Sequence, residues 1–169
     1  MVELERLVGE LQWYHTLDLP GGITTKGFYD LRKIADKVLP DDLSGKRCLD
    51  AATASGFWAF EMERRGAAEV VGIDISSSKD RDWQFDWDAP DDTIGMPKSF
   101  EVARDALGSK VSRIECNLYD ASPERLGMFD FVFIGSVLLH LRDPVRALRA
   151  LRTVTAGELR SFEVHLFWS

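Results

Sequence analysis

The chain has 169 residues, 45% of them apolar, which is about one domain with a core of its own and excludes collagen-like, disordered and disulfide-scaffold classes. Its 28 acidic and 21 basic side chains give a net charge of −7, so no global positive field holds it to nucleic acid or anionic lipid, and any basic site must be local. The longest nearly apolar run, 131–139, is half the ~18–20 residues of a membrane helix, and the opening MVELER has no signal-like segment, so a cytoplasmic protein is expected.

In chain order, Leu4, Leu7, Val8 and Leu11 mark one face of an N-terminal helix, and Leu31, Ile34, Ala35 and Val38 repeat the pattern up to Pro40. The intervening WYHTLDLPGGITTKG is turn-rich, and residues 1–45 read as a helical cap or lid before a 46–169 domain, the two forming one compact unit. RCLDAA is a first buried strand, followed by a break at Ser55-Gly56 and a helix over 57–65 that Gly66 ends. EVVGIDI is a second strand.

The stretch 76–97 reads as a long loop, with six Asp between Asp80 and Asp92 and with Trp83, Phe85 and Trp87 at alternate positions. Solvated loop charge is the first reading of its aspartates, a divalent cation the second, and the aromatics are expected to pack on the sheet edge rather than to stack on bases. A helix over 98–108, a strand over 111–116 and a strong strand, FDFVFIG, follow. Asp143 and Pro144 then open a helix with Ala147, Leu148, Leu151 and Val154 inside, and Gly157 closes it before a last extended run at 159–167. Arg142, Arg146, Arg149 and Arg152 form a stripe on that helix, either a solvated face or a set of phosphate contacts. Cys48 and Cys116 sit in strand-like stretches and read as buried structural thiols.

Strands alternating with helices predict an α/β fold, a Rossmann-like open sheet of five mainly parallel strands with helices on both faces. Ligands of such sheets bind beyond the carboxyl ends of the strands, where strand order reverses. There, LDAATASG is a small-residue turn that lets a ligand approach the backbone, and GIDI ends in an acid that can accept hydrogen bonds from two ribose hydroxyls. Ala52 and Ala54 stand where a dinucleotide fingerprint needs glycines, which argues against a dehydrogenase. A ligand with a ribose but no phosphate is S-adenosyl-L-methionine (SAM).

The segments LDAATASGFWAFEMERRGA, VVGIDI and FDFVFIGSVLLHLRDPVRALRALR resemble, in order and separation, the cofactor motifs of class I SAM-dependent methyltransferases. The wider pattern WYHTLDLPGG, TKGFYDLR, LSGKRCLD and LLHLRDP is similar to the branch containing the tRNA wobble-uridine methyl- and carboxymethyltransferases. The resemblance implies that Ala52, Ser55 and Gly56 line the methionine end of SAM, that Asp74, with Ile75 beside it, holds the ribose, and that Leu118 and Tyr119 flank the adenine. It places the stretch from Gly135 to Leu139 against the sulfonium. The alanines at 52 and 54 replace family glycines and are expected to weaken affinity, and Leu139 replaces a tyrosine of the carboxymethyl-transferring relatives, which points to plain methyl transfer.

The implied reaction is methyl transfer to an oxygen or nitrogen nucleophile of an RNA base (tRNA) or a small molecule, by an in-line displacement in which the enzyme supplies alignment and exclusion of water. His140, then His15 on the N-terminal lid, are the candidate general bases, each with a purely structural alternative, and no metal is expected. A non-catalytic SAM-binding module and a SAM-consuming enzyme of another type remain alternatives. Family members continue past the fifth strand with a further helix and an antiparallel strand pair, which this sequence, ending LFWS, does not contain. An open apolar edge at Phe162, Val164, Leu166, Phe167 and Trp168 is therefore expected, inviting a homodimer.

Overall fold

A computed structural model describes residues 2–84 and 96–163. Five strands form one parallel sheet: β3 (Arg47–Ala51), β4 (Glu69–Asp74), β5 (Ser112–Glu115), β6 (Phe129–Gly135) and β7 (Thr155–Phe162), in the order β5-β4-β3-β6-β7. Ahead of them, α1 (Val2–Glu10) leads into a small antiparallel pair, β1 (Asp18–Leu19) and β2 (Ile23–Thr24), turned by Pro20-Gly21-Gly22. The helices α3 (Phe57–Arg64), α4 (Pro97–Leu107), α5 (Pro123–Leu126) and α6 (Pro144–Thr153) connect the strands.

Strand alternation divides the core into two layers. Cys48, Val70, Phe131 and Phe133 face α3, α4 and the N-terminal arm, meeting Trp13, Leu17, Trp58, Met62 and Phe100. Leu49, Val71, Ile73, Val132 and Ile134 face α5 and α6, meeting Leu126, Ala147 and Leu151. The arm thus shares the core of the sheet. Asp143 caps α6 by accepting the Arg146 N–H at 2.9 Å, with Pro144 in the first turn, as the sequence indicates.

Two elements differ from expectation. Of the helix expected over 31–38 only α2 (Ala35–Val38) forms, because Arg32 is drawn to Asp30 and Asp18 (2.6 and 2.7 Å) and holds the preceding residues in a turn. Gly157 does not close α6 but lies inside β7, which starts two residues after the helix ends. A Cβ there would stand 2.3 Å from the Asp130 carbonyl oxygen, at a bulge where the register shifts between Phe129 and Phe131, so glycine serves the close approach of two strands.

β7 is an edge strand whose only strand partner among the described residues is β6. The expected apolar edge beyond Phe162 (Val164, Leu166, Phe167, Trp168) lies outside the described residues, as do Phe85 and Trp87. Among the described residues no helix is long and apolar enough to cross a membrane, and no three His, Cys, Asp or Glu side chains group as a metal site. Cys48 and Cys116 are buried free thiols, and burial pushes Cys48 up to about 12.

Candidate functional site

The chain leaves β3 for β4 and β5 on one side and returns to β6 on the other, so strand order reverses between β3 and β6. A cavity opens there, beyond the carboxyl ends of the strands. Its walls come from the turn after β3 (Ala52, Ala54), the end of β4 (Asp74, Ile75), the segment after β5 (Cys116 to Tyr119) and the segment after β6 (Gly135 to Val137, His140, Leu141). Tyr14 of the N-terminal arm, Met96, and the strip 80–83 also line it.

The β3 turn is tied down by its own backbone. The N–H groups of Ala52 and Thr53 donate to the Ile73 carbonyl (2.8 and 3.0 Å), and that of Gly56 to Thr53 (2.8 Å). Asp74 holds the centre: its carboxylate accepts the N–H of Ala54 and of Ile75, each at 2.8 Å. Burial pushes the Asp74 carboxyl upward, opposed by these two donors and by Arg113. Each Asp74 oxygen keeps a lone pair beyond the one it uses, so accepting ribose hydroxyls is compatible with holding the turn. Beneath lies Asp50, fully buried, whose Oδ2 accepts from Thr53 Oγ1 (2.7 Å) and the Ala59 N–H (3.1 Å) while Oδ1 has no partner among the described residues.

Among the described residues, four that are not glycine have positive φ: Ala52 (66°), Ala54 (46°), Met96 (41°) and Ser136 (56°), and all four line this cavity. Left-handed backbone at a residue with a Cβ costs about 1–2 kcal/mol, and such strain gathers at ligand sites. The variant A52G/A54G removes it at two places while glycine gives back about 0.5–1 kcal/mol each in chain entropy. The expected net gain is about 1 kcal/mol, a rise in Tm of about 2–4 °C by scanning calorimetry, together with tighter SAM binding. An unchanged or lower Tm would show that the turn is not strained by its methyl groups.

Several of the expected site residues come together at the cavity. Ala52, Asp74, Ile75, Leu118, Tyr119, Gly135 and His140 all line the cavity. Tyr119 donates to Asp82 Oδ2 at 2.9 Å and carries the Arg146 guanidinium over its ring at 4.6 Å. His140 is half-buried in a 3-10 turn (Leu138–His140), its ring stacked on Trp83 with centroids 5.1 Å apart, and burial lowers its pKa. Trp83 is therefore a cavity wall rather than packing at the sheet edge. Residues 82–84 lie antiparallel to 140–142, with the Gln84 N–H donating to the His140 carbonyl (2.8 Å) and the Arg142 N–H to that of Asp82 (3.0 Å).

Others lie elsewhere. Ser55 is buried outside the cavity, accepting the His15 N–H at 2.9 Å. Gly56 (φ 92°) also lies outside it, where a Cβ would stand 2.5 Å from the Phe60 ring and 2.8 Å from Phe100, so this glycine serves the packing of α3 on α4. His15 is fully buried against Ser55 and Phe57 and desolvation pushes it down to about 3, so the lid does not bring its imidazole to the cavity. Its neighbour Tyr14 faces the cavity instead. Leu139 is exposed and does not line the cavity, which removes the geometric basis for reading donor type from that position.

The arginine stripe is largely engaged. All four side chains are exposed, yet Arg142 pairs with Asp82 (3.7 Å), Arg146 covers Tyr119, and Arg152 donates to the Thr155 carbonyl (2.6 Å).

Residues 23–160 match the model of the family described as methyltransferase domain. Among curated proteins, the chain is 30% identical over 115 residues to a magnesium-protoporphyrin O-methyltransferase of Rhodobacter capsulatus, covering 68% of this chain and 42% of that protein. It is 30% identical over 122 residues to a tRNA U34 carboxymethyltransferase of Pseudomonas fluorescens, covering 70% and 32%. The chain thus spans less than half the length of either relative. Among solved structures, the N-terminal domain of EvdMO1 with SAH bound superposes with a TM-score of 0.69 at 18% identity, over 95% of this chain and 63% of that one. A magnesium protoporphyrin IX methyltransferase from Synechocystis with bound SAH gives 0.55 at 19% identity, over 76% and 52%.

Proposed function

Because the chain belongs to the methyltransferase-domain family, we propose that it transfers a methyl group from SAM to an oxygen nucleophile of a small molecule. The observation that carries the reading is the strand-end cavity in which Asp74 anchors the β3 turn and faces the ligand space. In that space Asp74 would hold the ribose, Leu118 and the Tyr119 ring would flank the adenine, and Ala52, Ala54 and Gly135 would receive the methionine end.

The cofactor supplies a methyl group on a sulfonium, an electrophile whose leaving group is a neutral thioether. The protein aligns the acceptor on the far side of that methyl and keeps water out, for which Trp83, Met96, Val137 and Leu141 provide apolar wall. His140 accepts the acceptor's proton: lowered by burial, its pKa leaves the imidazole neutral at pH 7. His15, buried away from the cavity, has no part in this step.

Charge favours a small acceptor over tRNA. Among the described residues the cavity wall holds Asp74, Asp80 and Asp82 against the cation Arg81, and three of the four stripe arginines make contacts within the protein itself. A polyanion gains little from such a surface, and the net charge of −7 repels it at long range.

The test is SAH formation from methyl-labelled SAM, with total tRNA in one arm and a panel of phenols and sugars in the other. Turnover with hydroxylated small molecules and none with tRNA is the expected outcome. Label entering tRNA would overturn the acceptor class. SAH formation in neither arm, with SAM bound, would favour a non-catalytic binding module.

A further inference from the structure

The methionine end of SAM carries a carboxylate that loses its water on entering the cavity and needs donors in exchange. Four of the five backbone N–H groups of the β3 turn, 52–56, are already engaged. The N–H groups of Ala52 and Thr53 are taken by Ile73, that of Ala54 by Asp74 and that of Gly56 by Thr53, while across the cavity the Ser136 N–H goes to the Phe162 carbonyl at 2.8 Å. Side chains offer further donors. Tyr14 lines the cavity together with Ala54, Gly135 and Ser136, and its hydroxyl has no hydrogen-bond partner among the described residues. The Ser136 hydroxyl is likewise buried without one.

Tyr14 is held there by the arm. Its carbonyl accepts the Tyr29 N–H at 3.0 Å, the next residue's N–H donates to Ser55 at 2.9 Å, and its ring rests against Tyr29 (centroids 5.0 Å) and edge-on to His15 (4.9 Å). Burial, then the neighbouring Tyr29, Glu163 and Asp74, hold its pKa above the usual phenol range, so it remains a neutral O–H donor at any working pH.

We propose that the Tyr14 hydroxyl donates a hydrogen bond to the carboxylate of the cofactor's methionine end, making the N-terminal arm part of the cofactor site. The assignment rests on the cavity being the SAM site. A neutral donor to a charged acceptor is worth about 10-fold or more in affinity.

The experiment is isothermal titration of SAM and of decarboxylated SAM, which keeps the adenosine, sulfonium and ammonium but lacks the carboxylate, into wild type and Tyr14→Phe. Phenylalanine keeps the ring contacts with Tyr29 and His15, and no protein hydrogen bond is lost, so the variant should fold with an unchanged Tm. The expected result is a loss of about 10-fold or more for SAM and no change for decarboxylated SAM. Equal loss for both ligands, or loss for neither, overturns the role of Tyr14 while leaving the cofactor site standing. Failure of wild type to bind either ligand overturns the site, and the role with it.

Discussion

Asp74→Ala is expected to weaken SAM binding by about 100-fold or more. Two hydrogen bonds from ribose hydroxyls to a carboxylate are worth about 1.5–3 kcal/mol each, and every 1.4 kcal/mol is tenfold. The same carboxylate holds the N–H groups of Ala54 and Ile75, and Ala54 sits at a φ of 46°, so removal also frees a strained turn to relax. A drop of about 1–3 kcal/mol in unfolding free energy should accompany the affinity loss. Asp74→Asn separates the two effects: the amide keeps one acceptor oxygen for the turn but loses the charge. Calorimetric titration with SAM and urea unfolding of both variants measure them. Wild-type affinity in either variant, with the fold intact, would remove Asp74 from the cofactor site.

Asp50→Asn is expected to remove one of two opposing pH dependences of stability, that of Asp50, and to leave that of His15 uncovered. Desolvation pushes Asp50 up to about 7 in the folded protein, against an ordinary value of 3.8, and its Oδ1, without a partner among the described residues, is the natural seat of the proton. The folded state therefore binds a proton that the unfolded chain releases between about pH 4 and 7. The stability contributed by this group is fully present below about pH 4 and falls by about 4 kcal/mol as pH rises to 7. His15 acts in the opposite sense: pushed down from 6.5 to about 3, it destabilises the fold as pH falls through that window. The two slopes nearly cancel in the wild type, so the informative quantity is the difference between wild type and Asp50→Asn. Measured as Tm between pH 4 and 8, that difference should move by about 10 °C in favour of the variant as pH rises. Parallel curves would show that Asp50 is ionised in the fold.

Asp50 and Asp74 illustrate what a sequence conveys about a site. The acid ending GIDI is recognisable because a strand brings its last residue to the sheet's edge, and the ligand end of the sheet follows from βαβ handedness. Asp50 lies in the same motif, yet its solvation depends on α3 and the turn closing over it, which no local pattern records. The five strands were legible because β3, β4 and β6 are apolar on both faces, as strands covered by helices on both sides must be. The start of β7 was not, because Gly157 reads locally as a helix terminator, and only the Asp130 backbone, 27 residues earlier, gives it a different purpose.

The arm shows the same limit. WYHT places a titratable histidine and a tyrosine side by side, and in extended chain the two point to opposite sides. Nothing local says which side is the cavity. The arm's docking decides it: His15 is drawn inward by Ser55 and Phe57, and Tyr14 is left facing the ligand space. Trp83 is another such case, since its contact with His140 joins two segments 57 residues apart.

Hydrophobic periodicity and turn residues determined, by themselves, the parallel α/β architecture, and with the acid after the second strand of the sheet they pointed to the strand end where a cavity opens. These are local or next-neighbour properties, written in spacing along the chain. The tertiary structure alone decided which side chains face the cavity: Tyr14 rather than His15, Trp83 as wall, Ser55 and Gly56 as packing, and the stripe arginines as partners of Asp82, Tyr119 and Thr155. Facing is a property of which distant segment arrives first to desolvate or hydrogen-bond a group, and the chain's own order does not contain that information.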